Sequence, residues 1–413
     1  MRSYSLLISL AYLGLYPYLR LRYREGFRDR VGKPDLEQLE KFESNPIWIH
    51  SVSVGEVQAA FPLILQARGS GYGKPLLIST VTCTGKKMAE KLLSGLVDGH
   101  FYYPWDVPWV IRRLLDVLRP EAYVSLETEI WPFLLHELKK RNIPSFLVNG
   151  RFSDRSFKKA CRAVDFWKET LECFSKVMVR SAYDAEKLFR LGVDADRVKV
   201  IGDVKIDALL FRKSLIDSKE LKKRLKINEA DICFVAGSTH EGEEAVVLEA
   251  FEMVKGQFPS SRLILVPRHP ERSRRVCALA CNKFEACLSS EVKPNWDVLI
   301  IDEVGVLFDL YSLAAGAFVG GSLVPKGGQN VLEPACFGVP IAFGPHMEDF
   351  SLPAVELTRL GVAQVIKDEK DLAGAWLSAI KSDAGLREKA IKYVESLGGA
   401  SKLAWEEIAS YLK

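Results

Sequence analysis

The 413-residue chain is poor in the signatures that usually announce a cofactor or a strongly charged partner. Eight cysteines are present, yet none has CxxC spacing, and Cys277, Cys281 and Cys287 fit no zinc pattern. Several lie in apolar runs, ICFVAGS and EPACFGVP among them, so reduced and mostly buried thiols are expected. The C-terminal half has no DxD between strand and loop, no Gly-Lys-Ser/Thr and no cluster of His and Cys, so no metal requirement and no resident cofactor are expected. A net charge of +4 is too mild for a nucleic-acid binder. An uninterrupted apolar stretch of about 20 residues, the length of a spanning helix, is also missing.

What is present points to a folded, two-domain chain. Hydrophobic residues make up 48% and charged residues 27%, which excludes a disordered protein, and the length suits two domains of roughly 150–200 residues. Residues 3–19, SYSLLISLAYLGLYPYL, carry no charge. Arg20, Arg22, Arg24, Arg28, Arg30 and Lys33 follow, against only Glu25 and Asp29. A secretory signal would place its basic residues first and a small-residue cleavage site after. The order here predicts a membrane-anchoring helix in the interface, its arginines on anionic headgroups and the body on the cytoplasmic side. A short single span is the alternative, and an amphipathic helix packed on the protein's own core is a third.

From Ile47 onward, short apolar runs alternate with helical spacing. The runs are IWIHSV (47–52), PLLIST (75–80), HFYY (100–103), AYVSL (122–126), SFLVN (145–149), KVMVR (176–180) and VKVIG (198–202). A charged stretch, 213–231, reads as a linker and the first helix of a second domain. Strands then resume with ICFVAGS (232–238), SRLILVP (261–267), DVLIID (297–302), GAFVGGS (316–322) and PIAFGP (340–345). Near-continuous apolar strands between helices predict parallel, doubly wound sheets. The fold class is therefore α/β, with two Rossmann-like domains facing across a cleft. Residues 1–33 form the anchor and basic collar, 34–210 the first domain, 211–398 the second, and 399–413 a helix packing back on the first.

Ligands of such sheets bind beyond the carboxyl ends of the strands, so the loops there carry the candidates. The turn His50-Ser51-Val52-Ser53-Val54-Gly55-Glu56 places Glu56 at a helix start, as a catalytic carboxylate or as a capping glutamate. Ser125-Leu126-Glu127-Thr128-Glu129-Ile130-Trp131-Pro132 puts two acids beside an aromatic ring, as a sugar site or as acidic residues of a helix first turn. Arg151 and Arg155 suit oxyanions or surface ion pairs. In the second half, Gly237-Ser238-Thr239 opens a phosphate-type turn, Arg268 and His269 stand between prolines, and the segment from Gly320 to Pro334 has the shape of a nucleotide turn.

The motifs SVSVGE, SLETEIWP, NGRFSDRS, GDVKID, AGSTHEGEE, LVPRHPER and GGQNVLEPACFGVPIAFGPHMEDF, in that order, resemble the Kdo (3-deoxy-D-manno-octulosonic acid) transferase family. The resemblance implies a GT-B fold and metal-independent, inverting transfer from CMP-Kdo to lipid IV-A in lipopolysaccharide synthesis. It also implies a place at the cytoplasmic face of the inner membrane. Under it Glu56 is the candidate base, with Glu127 second. Gly237, Ser238, Thr239, Arg268, His269, Gly321, Asn330 and Glu333 are candidates for CMP, and Lys205 and Arg151 for the sugar acid. One departure is GGQN where GGHN is expected, at Gln329. The competing enzyme class is a GT-B-fold sugar-nucleotide epimerase or hydrolase, which has no reason for an anchor with a basic collar.

Overall fold

The computed structural model describes residues 1–35 and 44–412. Residues 36–43, expected at the start of the first domain, and Lys413, expected in the last helix, lie outside the described residues. The chain divides into two compact units, Met1–Ala208 together with the stretch from Leu397, and Leu209–Ser396.

The first unit holds a seven-stranded sheet, all of whose pairings are parallel. Its strands are β1 (Ile47–His50), β2 (Leu76–Thr80), β3 (Gly99–Tyr102), β4 (Ala122–Leu126), β5 (Ser145–Gly150), β6 (Lys176–Val179) and β7 (Val198–Val200). Their order is β3-β2-β1-β4-β5-β6-β7. Burial on both faces explains the apolar runs. One face centres on Trp48 of β1, which packs against Tyr123 (4.8 Å between ring centroids), Phe101 (5.5 Å) and Tyr103 (5.7 Å).

The second unit repeats the plan with β8 (Ile232–Thr239), β9 (Ser261–Pro267), β10 (Ala286–Leu288), β11 (Val298–Ile300), β12 (Ala314–Val319), β13 (Ile341–Phe343) and β14 (Ala363–Val365). All pairings are again parallel, in the order β10-β11-β9-β8-β12-β13-β14. The strands β10 and β14 were not expected. Each is three residues long and lies at a sheet edge, too short to show a periodicity. In each sheet the order reverses beside the first strand: β1 pairs with both β2 and β4, and β8 with both β9 and β12. The crevice at such a switch point is where open α/β sheets bind ligands.

Two expectations need correction. Of the linker and first helix expected in 213–231 the helix forms, but no loop separates the two units. The division at 208/209 falls inside one helix, Val204–Ser214, and a second helix, Ser218–Leu225, follows. Nor do residues 1–33 stand apart. Helix α1 (Arg2–Arg22) belongs to the first unit and docks by one stripe, Tyr4, Ile8, Tyr12, Tyr16 and Leu19. Spacing of three or four residues puts these on one face. Tyr12 is buried against Trp105 (5.4 Å) and Trp109 (5.8 Å). The buried Arg30 guanidinium donates to the Val81 carbonyl (2.7 Å) and lies over the rings of Tyr23 and Tyr102. Leu6, Leu7, Leu10, Leu13, Tyr18 and Leu21 remain exposed, each by more than half its surface. No described helix is long and apolar enough to cross a membrane.

Candidate functional site

At the first switch point the chain leaves β1 through Ser51-Val52-Ser53 and enters the helix Val54–Gly69. Glu56, in its first turn, is nearly buried, and its Oε2 accepts the Val52 amide at 2.7 Å. Burial pushes its carboxyl up to about 7; the charges of Glu129 and Glu127 raise it further, while the Val52 amide and Lys205 pull it down. A carboxylate that titrates near neutrality can accept a proton from a hydroxyl and release it again.

Across the switch point, β4 ends at Leu126 and the next residue, Glu127, has φ of 57°. A non-glycine side chain in the left-handed region is strained and persists only where its surroundings impose it. Here the Glu127 carboxylate is paired with the Lys205 ammonium at 2.5 Å. Lys205 is brought there by Asn149, another left-handed residue (φ 62°) at the end of β5, whose buried Oδ1 accepts the Val204 amide at 3.2 Å. Glu129, raised chiefly by burial, completes the acidic group. Glu56, Glu127 and Lys205 are thus brought together. Arg151, the first residue after β5, is exposed.

The second switch point is built differently. Ser238, at the end of β8, again has positive φ (55°), and Gly320 sits so close to the Ser238 and Thr239 backbone that a Cβ would clash with it. Glu243, fully buried, accepts four backbone amides. Oε2 takes those of His240 and Gly321 (2.8 Å each), and Oε1 those of Ser322 (3.0 Å) and Leu323 (2.9 Å). Glu244 accepts the Thr239 hydroxyl (3.2 Å) and both terminal nitrogens of Arg272 (2.7 and 3.2 Å). Three of the candidates named from sequence already have partners within the fold. The Gly321 amide and the Thr239 hydroxyl are already committed to carboxylates, and Gly237 makes room for the Tyr311 hydroxyl, which a Cβ would overlap. Arg268 is exposed, its amide bonded to the Thr239 carbonyl at 2.9 Å. His269 is also exposed; its ring meets that of His240 edge-on at 5.8 Å. Burial raises the Glu333 carboxyl to about 7, against the pull of Arg212, Asn330 and Arg268. Asn330 donates to Glu333 at 3.4 Å and accepts the Leu332 amide at 3.1 Å. The doublet Glu243-Glu244 was legible as two acids at a helix start, but which amides they hold is a tertiary fact.

Residues 25–208 match the sequence profile of the 3-deoxy-D-manno-octulosonic-acid transferase (kdotransferase) family. A 3-deoxy-D-manno-octulosonic acid transferase of Haemophilus influenzae is 31% identical over 345 residues, covering 83% of this chain and 80% of that one. The chain belongs to the Kdo transferase family. It is a glycosyltransferase by that membership. Another relative, a bifunctional glycosyltransferase/methyltransferase of Fusobacterium nucleatum, is 30% identical over 95% of this chain; only 61% of that longer protein is covered. Among solved structures, the UDP-GlcNAc 2-epimerase of Neisseria meningitidis superposes over 89% of this chain and all of its own, with a TM-score of 0.62 and 15% identity. That likeness shows the fold, two parallel α/β domains of the GT-B class, and nothing of the ligand. The Kdo transferase motifs SVSVGE and SLETEIWP fall on the two sides of the first switch point, and AGSTHEGEE and GGQNVLEP follow the two strands of the second.

Proposed function

We propose that this Kdo transferase moves Kdo from CMP-Kdo to lipid IV-A in lipopolysaccharide synthesis, with inversion and without a metal. The observation that carries the reading is Glu56, a carboxyl raised to about 7 by burial, at the first switch point of a chain of this family. Glu56 takes the proton from the acceptor hydroxyl as that oxygen bonds to the anomeric carbon of Kdo, while the bond to CMP breaks on the opposite face and the electron pair leaves with the phosphate. Glu127 is less suited to that task because Lys205 neutralises it. Lys205 remains the candidate for the Kdo carboxylate, exchanging Glu127 for the sugar acid, with Arg151 as a second candidate. Arg268 and His269, exposed beyond β9, are the candidates for the departing phosphate, and Ser238, Asn330 and Glu333 those for the nucleoside.

The acceptor's lipid requires a membrane surface. The leucine face of α1, with Arg20, Arg22, Arg24 and Arg28 exposed at its end, supports an interfacial anchor on anionic lipid at the cytoplasmic face of the inner membrane. An epimerase or hydrolase shares the fold but needs no such face. Mass spectrometry of lipid IV-A after incubation with CMP-Kdo and the protein tests the reading. Addition of Kdo, with CMP released only in the presence of acceptor, is expected. Release of CMP without acceptor would replace transfer with hydrolysis.

A further inference from the structure

The segment YYPWDVPW contains a single acid among aromatic and apolar residues, Asp106. Its side chain is buried. Its Oδ1 accepts the amide of Leu134 at 2.8 Å, and its Oδ2 accepts the amide of Phe133 at 2.9 Å. These buried amides belong to the first turn of the helix Pro132–Lys140 and have no partner within it, and its own N-cap, Trp131, supplies no side-chain bond. Asp106 therefore does for this helix what a local Ser or Asp would normally do. That helix start is one end of the loop that carries Glu127 and Glu129; the other end is Leu126 of β4.

The third bond to Asp106 comes from α1. The Tyr4 hydroxyl donates to Oδ2 at 2.9 Å, while the Tyr4 ring packs on Phe166 at 5.8 Å. Trp105, the residue before Asp106, is the ring on which Tyr12 of α1 and Phe27 pack. The helix with the exposed leucine face is thus joined by a hydrogen bond and by tilted aromatic contacts to the segment that caps the acidic loop. A passive tether would need neither.

We infer that α1 is a positioning element of the acceptor site, and that the Tyr4–Asp106 bond couples its docking to the geometry of the Glu127–Glu129 loop. Asp106 is a positioning residue, acting through the helix it caps. The inference rests on the proposed transfer reaction, in which the Glu127–Glu129 loop lies beside the Glu56 base and its charges act on it.

The test is Tyr4→Phe in the full-length protein, which removes one hydroxyl and keeps the ring. Sedimentation with phosphatidylglycerol vesicles and affinity for CMP are expected to match wild type. The kcat/KM for lipid acceptor in detergent micelles is expected to fall about 10-fold, as for a lost hydrogen bond to a charged group. In an Asp106→Asn background the same change should add less than about 2-fold, because both act through one contact. Unchanged acceptor kinetics would overturn the coupling. So would an equal loss of CMP affinity, the mark of general loosening, or a loss of turnover that only tracks lost vesicle binding. Should Asp106→Asn fail to fold, Tyr4→Phe alone decides. A wild-type protein that makes no product would instead strike at the transfer reading itself.

Discussion

The two sheets have the same switch-point plan, yet the helices that follow β1 and β8 treat their first-turn carboxylates in opposite ways. At the first, Glu56 holds a single backbone amide and is raised to about 7, and Glu129 beside it is raised as well. At the second, Glu243 is saturated by four amides and Glu244 by Thr239 and Arg272. A carboxylate with few donors in a buried place is a reactive group, whereas one with a full set of donors is a structural clamp. Topology alone therefore says where a ligand goes, and the donor count around each acid says what the acid does there.

The sharpest way to break this contrast is Glu56→Gln. It keeps the shape and removes the basicity, so turnover should fall about 10²–10⁴-fold with CMP affinity retained. Single-turnover assays beside calorimetry with CMP check it, and activity within a few-fold of wild type would move the base elsewhere. Glu243→Ala should have the reverse profile. The clamp is lost and CMP affinity falls about 10–100-fold, the range for a lost charge-assisted hydrogen bond. Formate, but not chloride at equal ionic strength, should restore part of that affinity by occupying the vacated amides. Absence of rescue would mean that the carboxylate is not what orders the loop.

Arg268→Ala should weaken CMP by about 10-fold and more at low salt, since an exposed charge is screened. Calorimetry at two salt concentrations measures this. Glu129→Gln sharpens the first site rather than breaking it. Glu56 works deprotonated, so activity rises as pH climbs through its value of about 7. Removing a neighbouring negative charge lowers that value, and the acidic limb of the pH–rate profile should move to lower pH. A shift upward, or none, would remove Glu129 from the electrostatics of Glu56. The smallest expected effect is that of EDTA, which should leave turnover unchanged; loss restored by magnesium would contradict a metal-free mechanism.

Much of the frame was legible before any coordinates. All twelve expected strands form, because parallel strands buried on both faces must be apolar throughout and so stand out from the helices between them. The two missed strands, Ala286–Leu288 and Ala363–Val365, are edge strands of three residues, where burial is too brief to leave a pattern. The site was legible as a set of loops, but individual roles were not. Thr239 and Gly321 look like nucleotide contacts in sequence, and in the fold the Thr239 hydroxyl donates to Glu244 and the Gly321 amide to Glu243. Lys205 stands far from Glu127 in the chain, and Asn149 brings the two together.

The N-terminal helix divides the two kinds of knowledge most clearly. Its lack of charge, its leucines and its trailing arginines are local properties, and composition alone determined that it would present an apolar surface. That Tyr4 and Tyr12 lie on a separate stripe packed on Asp106, Trp105 and Trp109 depends on residues about a hundred positions away in the chain. Distant segments likewise act on Glu56, through Glu127, Glu129 and Lys205, and on Glu243, through Gly321, Ser322 and Leu323. Residue type sets the ordinary pKa and the range of possible partners, both written in the sequence. Burial and the number of donors set the protonation state and the role, and these exist only once distant segments are packed together.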